Sequence, residues 1–339
     1  MANFSPRAYS ASSLSAGTTH ECSPFPSNCS ISLDQPAQNA EFFMNMGTGT
    51  TGPTMPAVNL KATVSCPGTP ELEYRFMVGN DGKALEYENK PKSPSANYID
   101  PPTIDSGWLA ASDWNIDWDA DIYGGHVTHV TVCARRKSDK KVISSQKFAR
   151  DFWILGGALY EANGTPTLGS YLGTKGLDQQ MLIMAKAIAR SETNTTHFEP
   201  KKTATTFHKR YPKRSFDNGY GVFQLTNPIP TREQIWNWKK NTDAALILLA
   251  TNRQAAKAKL DQHPGYTNVQ LRLETYAKYN GGNTGGNYHV WNGSAWIEDP
   301  DYVCGCDNTM RKGKKKNDPS APCLYLSQCY ANVTHRLEY

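Results

Sequence analysis

Leu177-Asp178-Gln179-Gln180-Met181-Leu182-Ile183-Met184-Ala185-Lys186-Ala187-Ile188-Ala189-Arg190-Ser191-Glu192 is the stretch on which the reading of this chain turns. Leu177, Met181, Met184, Ala185 and Ile188 recur three or four positions apart, which predicts a helix with one buried face. Glu192 falls on that face, four residues past Ile188. A carboxylate at the C-terminal end of an apolar stripe is poorly solvated and lies at the negative end of the helix dipole, and both effects raise its pKa. A general acid working near neutral pH requires this. Further on, Gly219-Tyr220-Gly221-Val222-Phe223-Gln224-Leu225-Thr226 reads as a small-residue turn leading into an apolar segment with one embedded amide. The two stretches are expected to form the walls of one cleft.

Downstream the pattern stays helical. Between the two walls runs an irregular basic stretch from Thr193 to Ser215. Thr231-Arg232-Glu233-Gln234 has the form of a capping box in front of Ile235 and Trp236. Thr242 to Leu260 is rich in Ala and Leu with a helical period, and Val269 to Tyr279 makes another helix ended by Asn280-Gly281-Gly282. Residues 176–298 are therefore expected to form an all-α domain. Upstream, residues 156–175 have the Gly, Pro, Asn and Thr density of a linker.

Before the linker the period changes to two. Val58 to Cys66 alternates apolar and polar residues, Leu72 to Val78 and His126 to Arg135 give further strand-like runs, and Val142 to Ile154 supplies more. Cys66 and Cys133 lie in two of these runs, with Trp108, Trp114 and Trp118 between them. Residues 40–155 thus resemble an immunoglobulin-like β-sandwich, in which a disulfide joins two sheets over a buried Trp. Residues 1–39 read as an irregular N-terminal segment and residues 299–339 as a Cys-rich basic tail. The expected architecture is multidomain, an N-terminal immunoglobulin-like β-sandwich followed by a C-terminal all-α domain.

Composition narrows the function classes. At 339 residues and 38% hydrophobic content the chain can build real cores, and a net charge of +5 is modest. No zinc-finger spacing, recognition helix or aromatic RNA-binding signature appears, so no nucleic acid partner is expected. No apolar run reaches the length of a membrane span, and Met1 to His20 lacks the apolar core of a signal peptide. The eight cysteines, Cys22, Cys29, Cys66, Cys133, Cys304, Cys306, Cys323 and Cys329, form an even set that points outside the reducing cytosol.

No metal or organic cofactor is expected. Asp117-x-Asp119-x-Asp121 has the spacing of the front of a calcium loop, but Ile122 and Thr128 stand where Gly and a bidentate Glu belong, which favours a solvated acidic loop. Cys304-x-Cys306 and Cys323-x5-Cys329 fit zinc poorly and read as two disulfides around the basic run Arg311 to Lys316. His197, His208 and His289 show no ligand spacing and read as structural or surface residues.

The order of segments in residues 176–298 resembles the lysozyme-like lytic transglycosylases and goose-type lysozymes. The resemblance rests on Ala189-Arg190-Ser191-Glu192 at a helix end, the Gly219 to Thr226 turn, and Tyr276-Ala277-Lys278-Tyr279-Asn280-Gly281-Gly282. The family shows a Glu-Ser pair, a Gly-Leu-Met-Gln type of turn and an Ala-Tyr-Asn-Ala-Gly helix end. This chain has Thr193 in place of the Ser and Gly281 in place of the second Ala.

The resemblance implies cleavage of the β-1,4 bond between N-acetylmuramic acid and N-acetylglucosamine in peptidoglycan. Glu192 would be the catalytic acid and Asp217 the candidate second carboxylate. Gln224, Tyr279 and Asn280 would border the sugar, with Tyr220 and Thr226 on the turn grouped as substrate-binding. A hydrolase needs a second carboxylate; a lytic transglycosylase uses Glu192 alone and closes an anhydro ring on the muramyl 6-hydroxyl. Both outcomes stay open. With cysteine pairs and no evident signal, the setting expected is a secreted antibacterial effector delivered to the periplasm or a phage-derived lysin. An immunity protein and a secretion-system component are then the expected partners, besides the glycan strands. The alternatives are a non-catalytic glycan-binding adaptor and a chitin-directed hydrolase.

Overall fold

The computed structural model describes residues 22, 28–79, 95, 98, 103–118, 121–157, 167–199, 211–215, 217–281, 288–299 and 327–338, together with the backbone of two short strands at 302–303 and 314–315. Strands β1 (Ser30–Gln35), β2 (Ala40–Phe43), β3 (Asn59–Ser65), β4 (Leu72–Gly79), β5 (Ile104–Asp105), β6 (Asp113–Asn115), β7 (Gly125–Arg136) and β8 (Val142–Leu155) come first. They form two sheets, ordered β1-β3-β6 and β2-β8-β7-β4-β5. Alternation explains the smaller sheet: β1 buries Ile31 and Leu33 and turns Ser30 and Ser32 outward, and β3 buries Leu60 and Ala62 and exposes Lys61 and Thr63. Side chains from both sheets, Leu33, Leu60, Phe76, Val132 and Phe152 among them, meet in one core.

This arrangement differs from the immunoglobulin-like expectation in two ways. The pairing of β2 with β8 is parallel, so the larger sheet is mixed. Cys66 does not bond Cys133; among the described residues the disulfides are Cys29–Cys66 and Cys22–Cys133. Strand pairing supplies the reason, because β1 pairs with β3 through Ser30 opposite Ser65, which brings Cys29 beside Cys66. Residues 1–39, read from sequence as irregular, thus contribute a strand of the smaller sheet and two disulfide partners.

The helices follow: α1 (Thr167–Gly173), α2 (Gln179–Thr193), α3 (Arg232–Trp236), α4 (Trp238–Leu260), α5 (Asn268–Gly281) and α6 (Ser327–Arg336). Helix α1 lies within the stretch read as a linker. The capping box at α3 forms, with Gln234 N–H donating to the Thr231 hydroxyl and Thr231 N–H donating to the Gln234 side chain.

An all-α C-terminal domain is not what forms. Strands β9 (His289–Trp291) and β10 (Trp296–Glu298) pair after α5, and β11 (Tyr302–Val303) pairs with β12 (Lys314–Lys315). Among the described residues helix and strand occupy nearly equal shares, 31% and 30%, which makes a mixed α/β protein. The first hairpin has a local cause. Asn292 Oδ1 accepts from the N–H groups of Ser294 and Ala295, closing a turn between two Trp-bearing segments. Trp296 then packs into a small cluster with Leu260 and Leu271 and with the ring of Trp291.

The helical half is joined to the sheets by packing. Trp236, at the end of α3, enters the core of the sheets with Phe198, Tyr211 and Tyr220, and the Tyr98 ring stacks against it at 6.4 Å. Gly124, just before β7, permits this, since a Cβ there would sit 2.5 Å from the Trp236 ring. Polar contacts flank the junction. Trp238 Nε1 donates to the Met46 carbonyl at 2.7 Å, and Lys239 Nζ donates to the Gly49 carbonyl at 3.1 Å. Cys304, Cys306, Cys323, the side chain of Cys329 and Asp119 of the acidic loop lie outside the described residues.

Peptide mapping without reduction is expected to recover Cys22 linked to Cys133 and Cys29 linked to Cys66. A Cys66–Cys133 peptide would reinstate the immunoglobulin-like bond. Serine at both Cys22 and Cys133 should lower stability by about 2–4 kcal/mol in denaturant titrations, because a loop spanning 111 positions is released in the unfolded chain.

Candidate active site

Helix α2 begins and ends on specific side chains. Asp178 caps its start by accepting from Met181 N–H at 2.8 Å. At the other end Asn194 adopts a left-handed conformation, and its N–H donates back to the Ala189 and Arg190 carbonyls. Between them Met181, Met184, Ala185 and Ile188 are buried against residues of α1, α4, α5 and α6. Glu192 therefore stands in the last turn of α2, on the face that packs, with part of its surface still exposed.

The Gly219 to Thr226 turn is fastened to that helix end. The Thr193 hydroxyl donates to the Val222 carbonyl at 3.0 Å, with the Ala189 carbonyl at 3.3 Å. Thr193 thus binds helix to turn. Tyr220 and Leu225 exchange both backbone hydrogen bonds across the turn. Two buried side chains support it from behind. His197 Nδ1 accepts from Val222 N–H at 3.1 Å while Nε2 donates to the Ile235 carbonyl at 2.8 Å. Asn241 accepts from Phe223 N–H and donates to the Tyr220 and Gln234 carbonyls. Gly221, at φ 75°, leaves the room they need, since a Cβ would lie 2.5 Å from His197 Cε1.

The electrostatics of Glu192 follow from this packing. Its pKa is raised from 4.5 to about 7, chiefly by loss of solvation, with the Tyr330 hydroxyl opposing the rise and the negative charge of Asp217 adding to it. The Tyr279 phenol is pushed well above its ordinary value by burial and by the Glu192 charge, and its hydroxyl donates to the Phe223 carbonyl at 2.9 Å. His197 is pushed down to about 3 by burial, so it is a neutral bracket for the turn. Lys213 Nζ donates to the Thr193 carbonyl at 2.8 Å, next to Glu192 in the chain.

The residues expected at the site separate into groups. Glu192 interacts electrostatically with Asp217 and with Tyr279 around the end of α2. Asp217 accepts from the Ser215 hydroxyl, which itself accepts from Gly219 N–H at 2.7 Å. Gln224 is half-buried and uses its amide on its own turn, donating to the Gly221 carbonyl at 2.7 Å. Thr226 donates to the Gln224 carbonyl at 3.1 Å, and Asn280 is exposed on the last turn of α5. Tyr220 points elsewhere: it is 1% exposed in the core of the sheets, and its hydroxyl accepts from Ser95 N–H at 2.8 Å.

Sequence reasoning missed Tyr330, because it lies in a tail read only for its cysteines and lysines. It also missed Asn241, whose one signal was an amide among the buried residues of α4, a feature it shares with Asn252. Among the described residues no group of three or more His, Cys, Asp or Glu side chains is placed to hold a metal ion, and no helix is long and apolar enough to cross a membrane. Compared with protein-family models, with curated proteins and with solved structures, the chain finds no match.

Glu192 makes stability depend on pH with a definite sign. Between pH 4.5 and about 7 the folded carboxyl keeps a proton that the unfolded chain gives up, so its contribution to stability falls as pH rises through that window and levels off above it. Glu192→Gln removes the penalty. Its stability at pH 8 should exceed that of the unchanged protein by on the order of 2 kcal/mol, discounted for the surface Glu192 keeps in water, with no gain at pH 4. Urea denaturation at the two pH values measures the difference.

Proposed function

We propose that the chain is a peptidoglycan-cleaving muramidase in the broad sense, with Glu192 as its general acid. The observation that carries this reading is the Glu192 carboxyl itself, desolvated at the end of α2, with its pKa raised to about 7 and part of its surface open to a ligand. A carboxyl in that state holds a transferable proton at neutral pH and becomes a usable base once it has given it away.

The reaction follows from those two states. Glu192 protonates the glycosidic oxygen as the bond to the muramyl C1 breaks, and the leaving sugar departs as an alcohol. The positive charge left on the muramyl ring is met by its own acetamido oxygen. The Glu192 carboxylate then removes a proton from the incoming nucleophile. A water molecule gives a reducing end; the muramyl 6-hydroxyl gives a 1,6-anhydro ring. Asp217, held by Ser215 near enough for its charge to act on Glu192, is the group available to orient water in the first case. Gln224 and Thr226, the half-exposed residues of the turn, and half-exposed Tyr279 are the groups against which the sugar would lie. The disulfides support action in an oxidising compartment, in line with a cell-wall substrate.

Purified protein incubated with peptidoglycan is expected to release muropeptides, and Glu192→Gln should slow release at least about 100-fold. Mass spectrometry distinguishes reducing from 1,6-anhydro ends and so names the nucleophile. If the unchanged protein releases nothing, or Glu192→Gln releases products equally fast, the enzymatic reading fails and a glycan-binding adaptor takes its place. Cleavage of chitin oligomers without cleavage of cell walls would move the substrate to chitin.

A further inference from the structure

Asp217 sits at the tip of a tight hairpin whose two arms are both fastened to the end of α2. Ser215 N–H donates to the Gly219 carbonyl at 2.9 Å, Arg214 pairs with Tyr220 just behind, and Asn218 takes the left-handed conformation, φ 72°, that closes the bend. On one arm Lys213 Nζ donates to the Thr193 carbonyl at 2.8 Å. On the other the Val222 carbonyl accepts from the Thr193 hydroxyl at 3.0 Å. Thr193 follows Glu192 directly in the chain, so both ties hold the hairpin against the turn of helix that carries the acid. The Asp217 charge reaches Glu192 from there.

Ser215 fixes the Asp217 carboxylate within that hairpin. Its hydroxyl accepts from Gly219 N–H at 2.7 Å, which leaves its own proton to donate to Asp217 Oδ1. A Cβ at position 219 would lie 2.8 Å from that hydroxyl, so only glycine leaves the arrangement intact. Carboxylates that serve structure in this chain hold a cation: Asp243 pairs with Lys175 at 2.6 Å and Asp178 with Arg253 at 2.6 Å. Among the described residues half-exposed Asp217 makes no ion pair, and its Oδ2 accepts no hydrogen bond. One oxygen is anchored and the other is left for solvent.

We propose that Ser215 is a positioning residue that holds Asp217 as the water-orienting carboxylate of the site, and that this pair makes the chain a hydrolase rather than a ring-closing transglycosylase. The choice of nucleophile rests on the muramidase reading; the placement of Asp217 by Ser215 does not. A water on Asp217 Oδ2 donates one hydrogen to that oxygen and keeps the other for Glu192. As its oxygen bonds the muramyl C1 and the acetamido oxygen lets go, the second proton passes to the Glu192 carboxylate and restores the acid. The first stays on the new C1 hydroxyl, and Asp217 is unchanged. The muramyl 6-hydroxyl has a single hydrogen, which Glu192 must take, so it gains nothing from Asp217.

The test is Ser215→Ala and Asp217→Asn in the full chain, with Ser215→Thr as the variant that keeps a hydroxyl. Mass spectrometry of the released muropeptides gives the ratio of reducing to 1,6-anhydro ends. Carbon-13 NMR of carboxyl-labelled protein, assigned by the signal lost in Glu192→Gln, follows the Glu192 titration without substrate. The unchanged protein is expected to give reducing ends. Ser215→Ala and Asp217→Asn should each lower their formation about tenfold or more with KM within about twofold, while anhydro ends rise as a share of the products. Ser215→Thr should restore reducing ends. Ser215→Ala and Asp217→Asn should also move the Glu192 midpoint to lower pH, because the Asp217 charge raises it, and Asp217→Asn should move it further. Should Ser215→Ala fail to fold, Asp217→Asn carries the test, since an amide oxygen still accepts from Ser215. Anhydro ends from the unchanged protein, or an unaltered product ratio in the variants, overturn the proposal and leave the muramidase reading standing. If the unchanged protein cleaves nothing, that reading falls together with the choice of nucleophile. The midpoint then decides alone: movement in Ser215→Ala upholds the placement of Asp217, and no movement overturns it.

Discussion

The molecule depends on where helix α2 stops. Asn194 turns the chain out of the helix, and the Thr193 hydroxyl ties the last turn both to Ala189 and to the Val222 carbonyl of the facing loop. Glu192 owes its orientation to that stop. A helix advances about 100° per residue, so a shift of one position at the cap would swing the carboxylate off the packed face and into water. The acidity attributed to Glu192 is a property of the helix end and not of the residue.

Two buried carboxylates show how the same side chain is set to opposite purposes. Burial by itself would raise the pKa of Glu274, yet bonds from His289 and Lys259 bring it below its ordinary value. It accepts from Lys259 Nζ at 2.9 Å and from the N–H groups of Tyr288 and His289 at 2.9 and 3.0 Å, and so pins α4 and β9 to α5. At Glu192 the Tyr330 hydroxyl offsets burial only in part and the Asp217 charge adds to it, so desolvation prevails. Glu274 is held as an anion and serves structure. Glu192 is held as an acid at some cost to stability, the balance expected where a group is kept for its reactivity.

The sheets take part in placing the site. Tyr220 is anchored in their core beside Tyr98 and Trp236, while Gly221, next in the chain, turns back towards His197, Asn241 and the end of α2. The turn is stretched between two cores, one side chain in the sheet core and Val222, Phe223 and Leu225 in the helical one. The N-terminal half thus positions the loop that faces Glu192. Its β1 strand and two disulfides hold that half together where an inter-sheet Cys66–Cys133 bond had been expected.

What could be read locally was read well where one short-range rule dominates. The apolar stripe of α2, the capping box of α3 and the placement of Glu192 on a buried face all depend on spacings of three or four residues. The Asn292 hairpin followed an equally local rule but was hidden inside a stretch read as helical. The pairing of Cys29 with Cys66, the parallel pairing of β2 with β8, the inward turn of Tyr220 and the arrival of Tyr330 beside Glu192 involve partners between 37 and 138 positions apart, and no spacing rule reaches that far. The sequence by itself determined that an acidic side chain would end a greasy helix. Tertiary structure alone decided which groups surround it, because desolvation and charge coupling are set by distances through space and not along the chain.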